Sequence, residues 1–169
     1  MLKRILLALD NSDAGQVALS FTIALAGNGT EVRIMHVNEF LVGGRGLTMQ
    51  TPREARFLVD DAVLQLRSCE VTPTGLAATG VVAAATCFSV SDCIIAEAER
   101  WSADAIVLGS ARRRGLRRIA CHGVRERVIR FSSLPVITAP APLRVAHGEL
   151  APATADAPGG PGPISRLHQ

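Results

Sequence analysis

Apolar residues fall along this chain in alternating rhythms. From Lys3 to Leu9 they are nearly continuous, as in a strand buried on both faces. From Ser12 to Ala26 they recur as Val17, Leu19, Phe21, Ile23, Ala24 and Leu25, which predicts a helix capped by Ser12 and stopped at Gly27. Thr30 to Val37 returns to β-branched and apolar residues, a second strand. A loop holding Gly43, Gly44, Arg45 and Gly46 then leads to a helix over Thr51 to Cys69. Thr51 with Glu54 makes a capping box, and Ala55, Leu58, Val59, Ala62, Val63 and Leu66 form one apolar stripe opposite Arg53, Arg56, Asp60, Asp61 and Arg67.

The second half repeats the alternation. Gly75 to Ala85 reads as a strand, and a helix capped by Ser89 or Ser91 runs to Arg100. Ala103 to Leu108 is a further strand, Ile119 to Phe131 a helix, and Pro135 to Ala139 a last short strand. Five strands separated by four helices predict a single α/β domain, a doubly wound five-stranded parallel sheet over residues 1–141, because each parallel connection needs a crossover. Beyond it, residues 142–169 are rich in Pro, Gly and Ala and bury too little apolar area to offset their ordering entropy, so a disordered tail is expected.

Composition narrows the function. Nearly half the residues are hydrophobic, enough for one sizeable core, and no uncharged apolar run has the length of a membrane span. The opening apolar run ends at Asp10 without a cleavage site, so a cytoplasmic protein is expected. Cys69, Cys87, Cys93 and Cys121 form no CxxC pair and read as reduced, small buried hydrophobes. His36, His122, His147 and His168 show no metal-ligand spacing, and neither a GxSxG elbow nor a Walker lysine is present, so no catalytic residue and no metal site are assigned.

The charge of +3 conceals a strong local asymmetry: Arg112, Arg113, Arg114, Arg117, Arg118, Arg125, Arg127 and Arg130 are opposed only by Glu126. Such a cluster attracts anions. Phosphates are favoured over nucleic acid, since Phe131 is the only aromatic residue in the segment. The same segment follows a strand that ends in Gly109-Ser110, the strand, glycine turn and helix order of a phosphate cradle.

These pieces, in this order, resemble the universal stress protein family over residues 3 to about 140. The resemblance rests on Ile5-Leu6-Leu7-Ala8-Leu9-Asp10-Asn11-Ser12, Met35-His36-Val37, Ala103 to Ser110, Gly115 to Arg118, Val124 to Arg130 and Leu134 to Ile137. It implies a Rossmann-like fold of the adenine nucleotide alpha hydrolase-like kind, a role in stress response and a homodimer. The residues add a physical reason for the dimer, a short apolar edge strand at 135–139 that can pair with its twin.

Members of that family that bind ATP carry Gly, two residues, Gly, nine residues, then Gly followed by Ser or Thr. Here those positions hold Gly109, Arg112, His122 and Gly123, so three of the four depart. A side chain at such points obstructs close approach of the backbone to phosphate oxygens. The chain therefore resembles the branch with a degraded motif. No cofactor is assigned; the one the resemblance admits is ATP or ADP with magnesium, with at most slow hydrolysis. If a nucleotide binds, the resemblance places Asp10 and Val37 at the nucleoside and Gly109, Ser110, Arg112 and Gly123 at the phosphates. Three readings stay open: a non-catalytic dimeric stress regulator, an adenine-nucleotide-binding regulator using an arginine-rich loop, and a basic module for an acidic partner.

Overall fold

The computed structural model describes residues 2–39, 51–68, 74–85, 89–110 and 123–140. In chain order the elements are β1 (Arg4–Ala8), α1 (Asp13–Leu25), β2 (Glu31–Glu39), α2 (Pro52–Ser68), β3 (Ala77–Ala85), α3 (Val90–Arg100), β4 (Ala105–Leu108), α4 (Val124–Phe131) and β5 (Val136–Thr138). The five strands form one all-parallel sheet in the order β3-β2-β1-β4-β5. This is the expected doubly wound α/β architecture. The chain moves outward from β1 to β3, returns to β4 on the other side of β1, and moves outward again.

Side-chain alternation divides the core between the two faces of the sheet. Ile5, Leu7, Val32, Ile34, Ala78 and Val107 join Ala18, Leu19, Val59, Ala62 and Leu66 from α1 and α2. Leu6, Met35, Ile106 and Leu108 join Ile94 and Ala98 of α3 and Val128 of α4 on the other face. Burial of one such Leu or Ile side chain contributes about 1.5–3 kcal/mol, so β1, buried on both sides, is the strand the core is built around. Cys93 lies half-buried at the rim of the second cluster, where burial and, after it, the charge of Asp92 push its thiol pKa up. It behaves as the small hydrophobe expected; Cys69, Cys87 and Cys121 lie outside the described residues.

The caps explain where helices start. Ser12 accepts from Gly15 N–H at 3.2 Å to open α1. Thr51 and Glu54 exchange bonds at the start of α2, and Ser89, not Ser91, forms a reciprocal box with Asp92 at α3. The helix expected from Ile119 begins at Val124 instead, because Gly123 takes the extended backbone of an N-cap (φ −61, ψ 158). Residues 119–122 lie outside the described residues, as does the tail at 142–169.

All five strands start one or two residues later than the apolar pattern suggests, and at three of them a local contact gives the reason. Gly75 has φ +76 and sits in the turn that receives Gly29 N–H on Thr74, so β3 begins at Ala77. The buried Thr30 hydroxyl donates to the carbonyl of Leu2 and accepts from Gly27 N–H, so β2 begins at Glu31. Asp104 is drawn back to the start of β1, where its Oδ2 accepts the N–H of Lys3 at 2.6 Å and of Arg4 at 2.9 Å, and β4 begins at Ala105.

Among the described residues one ion pair is largely buried. Arg33 of β2 meets Glu97 of α3 at 2.8 Å, with the guanidinium stacked 4.4 Å from the Trp101 ring, and Arg100 closes on the same carboxylate at 2.7 Å. It pins the end of α3 to the sheet on the face opposite α1 and α2.

The Asp104 bonds lead to a pH prediction. The N–H groups of Arg4, then Lys3, hold its carboxyl below the usual carboxylate range. A group with a lowered folded pKa contributes stability that is present above its unfolded value of about 3.9 and lost as pH falls through the folded value. Asp104→Asn should therefore flatten the loss of stability as pH falls below about 4, measured as urea midpoints against pH.

Candidate functional site

The crossovers reverse direction between β1 and β4, and the loops that leave the carboxyl ends of these neighbours part to opposite faces of the sheet. A crevice at that point is where ligands of doubly wound sheets bind. The loop after β1 carries Asp10, Asn11 and Ser12; the loop after β4 carries Gly109 and Ser110. Three of the sequence-predicted residues, Asp10, Gly109 and Ser110, are thus placed at this switch point by topology alone.

Glycines set how closely the two loops approach α1. A Cβ on Gly109 would lie 2.6 Å from the carbonyl oxygen of Ala14 and 2.8 Å from its carbon, so β4 runs against the first turn of α1. A Cβ on Gly15 would overlap the Asp10 carbonyl oxygen and come 2.8 Å from Asp10 Oδ1. Gly109 is therefore demanded by packing, independently of any ligand. Gly15 was not foreseen as a site residue; a glycine in the first turn of a helix, where it weakens helix propensity, was the available signal.

The polar groups are held as follows. Asp10 is exposed, and its Oδ1 accepts the Ser12 hydroxyl at 2.5 Å, which fixes the carboxylate beside the switch point. Ser110 Oγ is buried and has no hydrogen-bond partner among the described residues, an unusual state for a hydroxyl. Val37 lies two residues beyond Met35, the partner of Ala8 at the end of β1, so β2 overshoots β1 and carries Val37 past it. Its side chain is half-buried against the Met35 cluster, and beside it the buried His36 is bonded to the Leu9 carbonyl through Nδ1 at 2.8 Å.

The α4 end is arranged differently. Gly123 has no side-chain cap, and the Glu126 carboxylate reaches back over it, occupying the position a Cβ at 123 would take. Arg125 pairs with the same carboxylate at 2.8 Å. The helix terminus expected to receive phosphate is thus covered by a carboxylate of the chain itself. Arg127 is engaged as well, donating to Ser91 Oγ at 3.1 Å and lying 3.7 Å from Asp92, and both Arg127 and Arg130 stand over the Phe131 ring. The described part of the basic cluster is therefore engaged within the chain: Arg125 with Glu126, Arg127 with α3, and Arg127 and Arg130 with the Phe131 ring. Arg112 and the arginines at 113–118 lie outside the described residues, as does His122.

Comparisons with known proteins agree with the fold. The model of the universal stress protein family matches residues 1–140. Among solved structures, a universal stress protein family member from Burkholderia pseudomallei is 26% identical, with 82% of this chain and 96% of that one covered at a TM-score of 0.59. A universal stress protein in complex with cAMP, 16% identical, covers 81% and 95% at 0.59. A universal stress protein family protein from Arabidopsis thaliana with AMP bound, 15% identical, covers 83% and 92% at 0.53; these two speak to the fold. No curated protein matches the chain. No helix of the described residues is long and apolar enough to cross a membrane.

Gly109→Ala tests the close approach. Overpacking against the Ala14 backbone should cost about 1–3 kcal/mol, read as a lowered urea midpoint at unchanged slope.

Proposed function

The chain belongs to the universal stress protein family, and on that premise we propose that it is a cytoplasmic, homodimeric stress-response regulator that acts by binding and not by catalysis. Its ligand in this reading is an adenine mononucleotide, held in the switch-point crevice. The observation that carries it is the buried Ser110 hydroxyl, without a hydrogen-bond partner among the described residues, at the same switch point as the Ser12-bonded Asp10 carboxylate. That fold neighbours hold AMP and cAMP supports the ligand class.

The roles follow from the chemistry. The Asp10 carboxylate accepts from ribose hydroxyls, Val37 packs beside the base, and Ser110 Oγ donates to a phosphate oxygen next to the Gly109 backbone. A triphosphate gains little more here. Two motif glycines are replaced by Arg112 and His122, the hydroxyl position is Gly123, and the Glu126 carboxylate covers the α4 terminus. The second reading, ATP or ADP with magnesium on the arginine-rich loop, needs Arg112 and its neighbours to replace that cradle.

Titration calorimetry on protein stripped of ligand separates the two. ATP with magnesium should bind no more than about tenfold tighter than AMP, a difference of about 1.4 kcal/mol. Asp10→Ala should weaken AMP by roughly 10- to 100-fold, the loss of hydrogen bonds to a charged acceptor. A strong preference for ATP that Arg112→Gly alters would favour the second reading. No heat with any nucleotide would leave protein contacts as the mode of action.

The dimer is proposed through residues 135–139. β5 is an edge strand, bonded only to β4 among the described residues, and Val136 and Ile137 keep part of their surface exposed. Sedimentation should give twice the chain mass at micromolar concentration; a monomer there would remove the proposal.

A further inference from the structure

The opposite edge of the sheet is β3. Among the described residues it pairs only with β2, and it presents nine residues, Ala77 to Ala85. The Ala77 N–H donates to the Thr30 carbonyl at 3.1 Å, so the odd-numbered residues direct their main-chain groups to β2. Ala78, Gly80, Val82 and Ala84 consequently direct theirs outward. This is a row of donors and acceptors suited to one more strand.

The usual obstacles are missing from the strand. Its sequence, AATGVVAAA, contains no charge and no proline, and its small side chains let another backbone approach. The obstacle comes from the neighbouring helix. Arg67, in the last turn of α2, donates through Nη2 to the outward carbonyl of Ala78 at 2.6 Å.

We propose that Arg67 guards this edge, filling the Ala78 acceptor and setting a cation in the path of an incoming strand, so that β3 does not pair with β3 of a second copy. The occupant excluded is a second copy because the outward groups recur at every second residue. The same strand laid antiparallel about a two-fold axis meets them in kind, and nothing charged on the strand opposes it. With Arg67 present, such a pair would bring two guanidinium groups to one seam and leave Ala78 carbonyls already engaged.

The test is sedimentation velocity on the full chain over a wide range of concentration. Arg67→Ala should add species at twice the mass of the wild-type particle and at higher multiples, since a dimer joined through β5 carries two β3 edges, growing with concentration, while Arg67→Lys, which keeps the charge, should not. Adding Ala84→Pro removes one outward N–H and leaves the ladder to β2 intact, and the double variant should return to the wild-type distribution. The proposal is overturned if Arg67→Ala sediments as wild type while keeping its circular dichroism spectrum, or if the heavier species survives Ala84→Pro. A mass gain that is not a multiple of the chain would put a foreign peptide on the edge and overturn the second-copy assignment. If Arg67→Ala does not fold, Arg67→Gln, which keeps the stem without the charge, is read against the same outcomes.

Discussion

Ile5, Leu6 and Leu7 have no exposed surface, and their backbone is bonded on both sides, to β2 and to β4. A strand enclosed in this way has to be covered by helices on both faces, and right-handed crossovers achieve that only if the chain leaves β1 in one direction and comes back on its other side. The reversal between β1 and β4, the division of the core into two clusters and the opening between the two loops all follow from that enclosure. The crevice is a by-product of covering β1. Part of its lining, Gly15 and Gly109, is fixed by that same packing.

The two sides of the switch point are built differently. At the β1 side the parts are fixed by short-range contacts: Ser12 caps α1 and bonds Asp10, and Gly15 and Gly109 let two loops lie against one helical turn. At the α4 side the same space is taken by Glu126, tied to Arg125. Beside β1 the polar groups are thus set by the cap of α1, and at the α4 side the helix terminus is satisfied from within.

Most of the fold was legible in the sequence because buried parallel strands read as apolar runs and amphipathic helices as stripes. The errors lie at ends, where a single side chain outweighs the pattern: Thr30 pulled into a turn, Asp104 bonded to another strand, Gly123 extended before α4. The site was legible only in part. Asp10, Gly109 and Ser110 follow from strand ends, but the reach of Glu126 over Gly123 and the role of Gly15 depend on contacts that no spacing rule encodes. The glycine motif was also ambiguous in principle, since packing against Ala14 demands Gly109 whether or not a phosphate is present.

The tie between Asp104 and the amides of Lys3 and Arg4 spans about one hundred residues of chain. The ladder between β1 and β4 has the same separation, with Ile5 opposite Ala105. A nascent or refolding chain can assemble β1, β2 and β3 with their two helices long before this partner is available, and until then the central strand has an open apolar flank. The sheet is thus completed from its middle, late and over a long loop. The longest loop closure in the sheet falls on the strand that ends up the most protected.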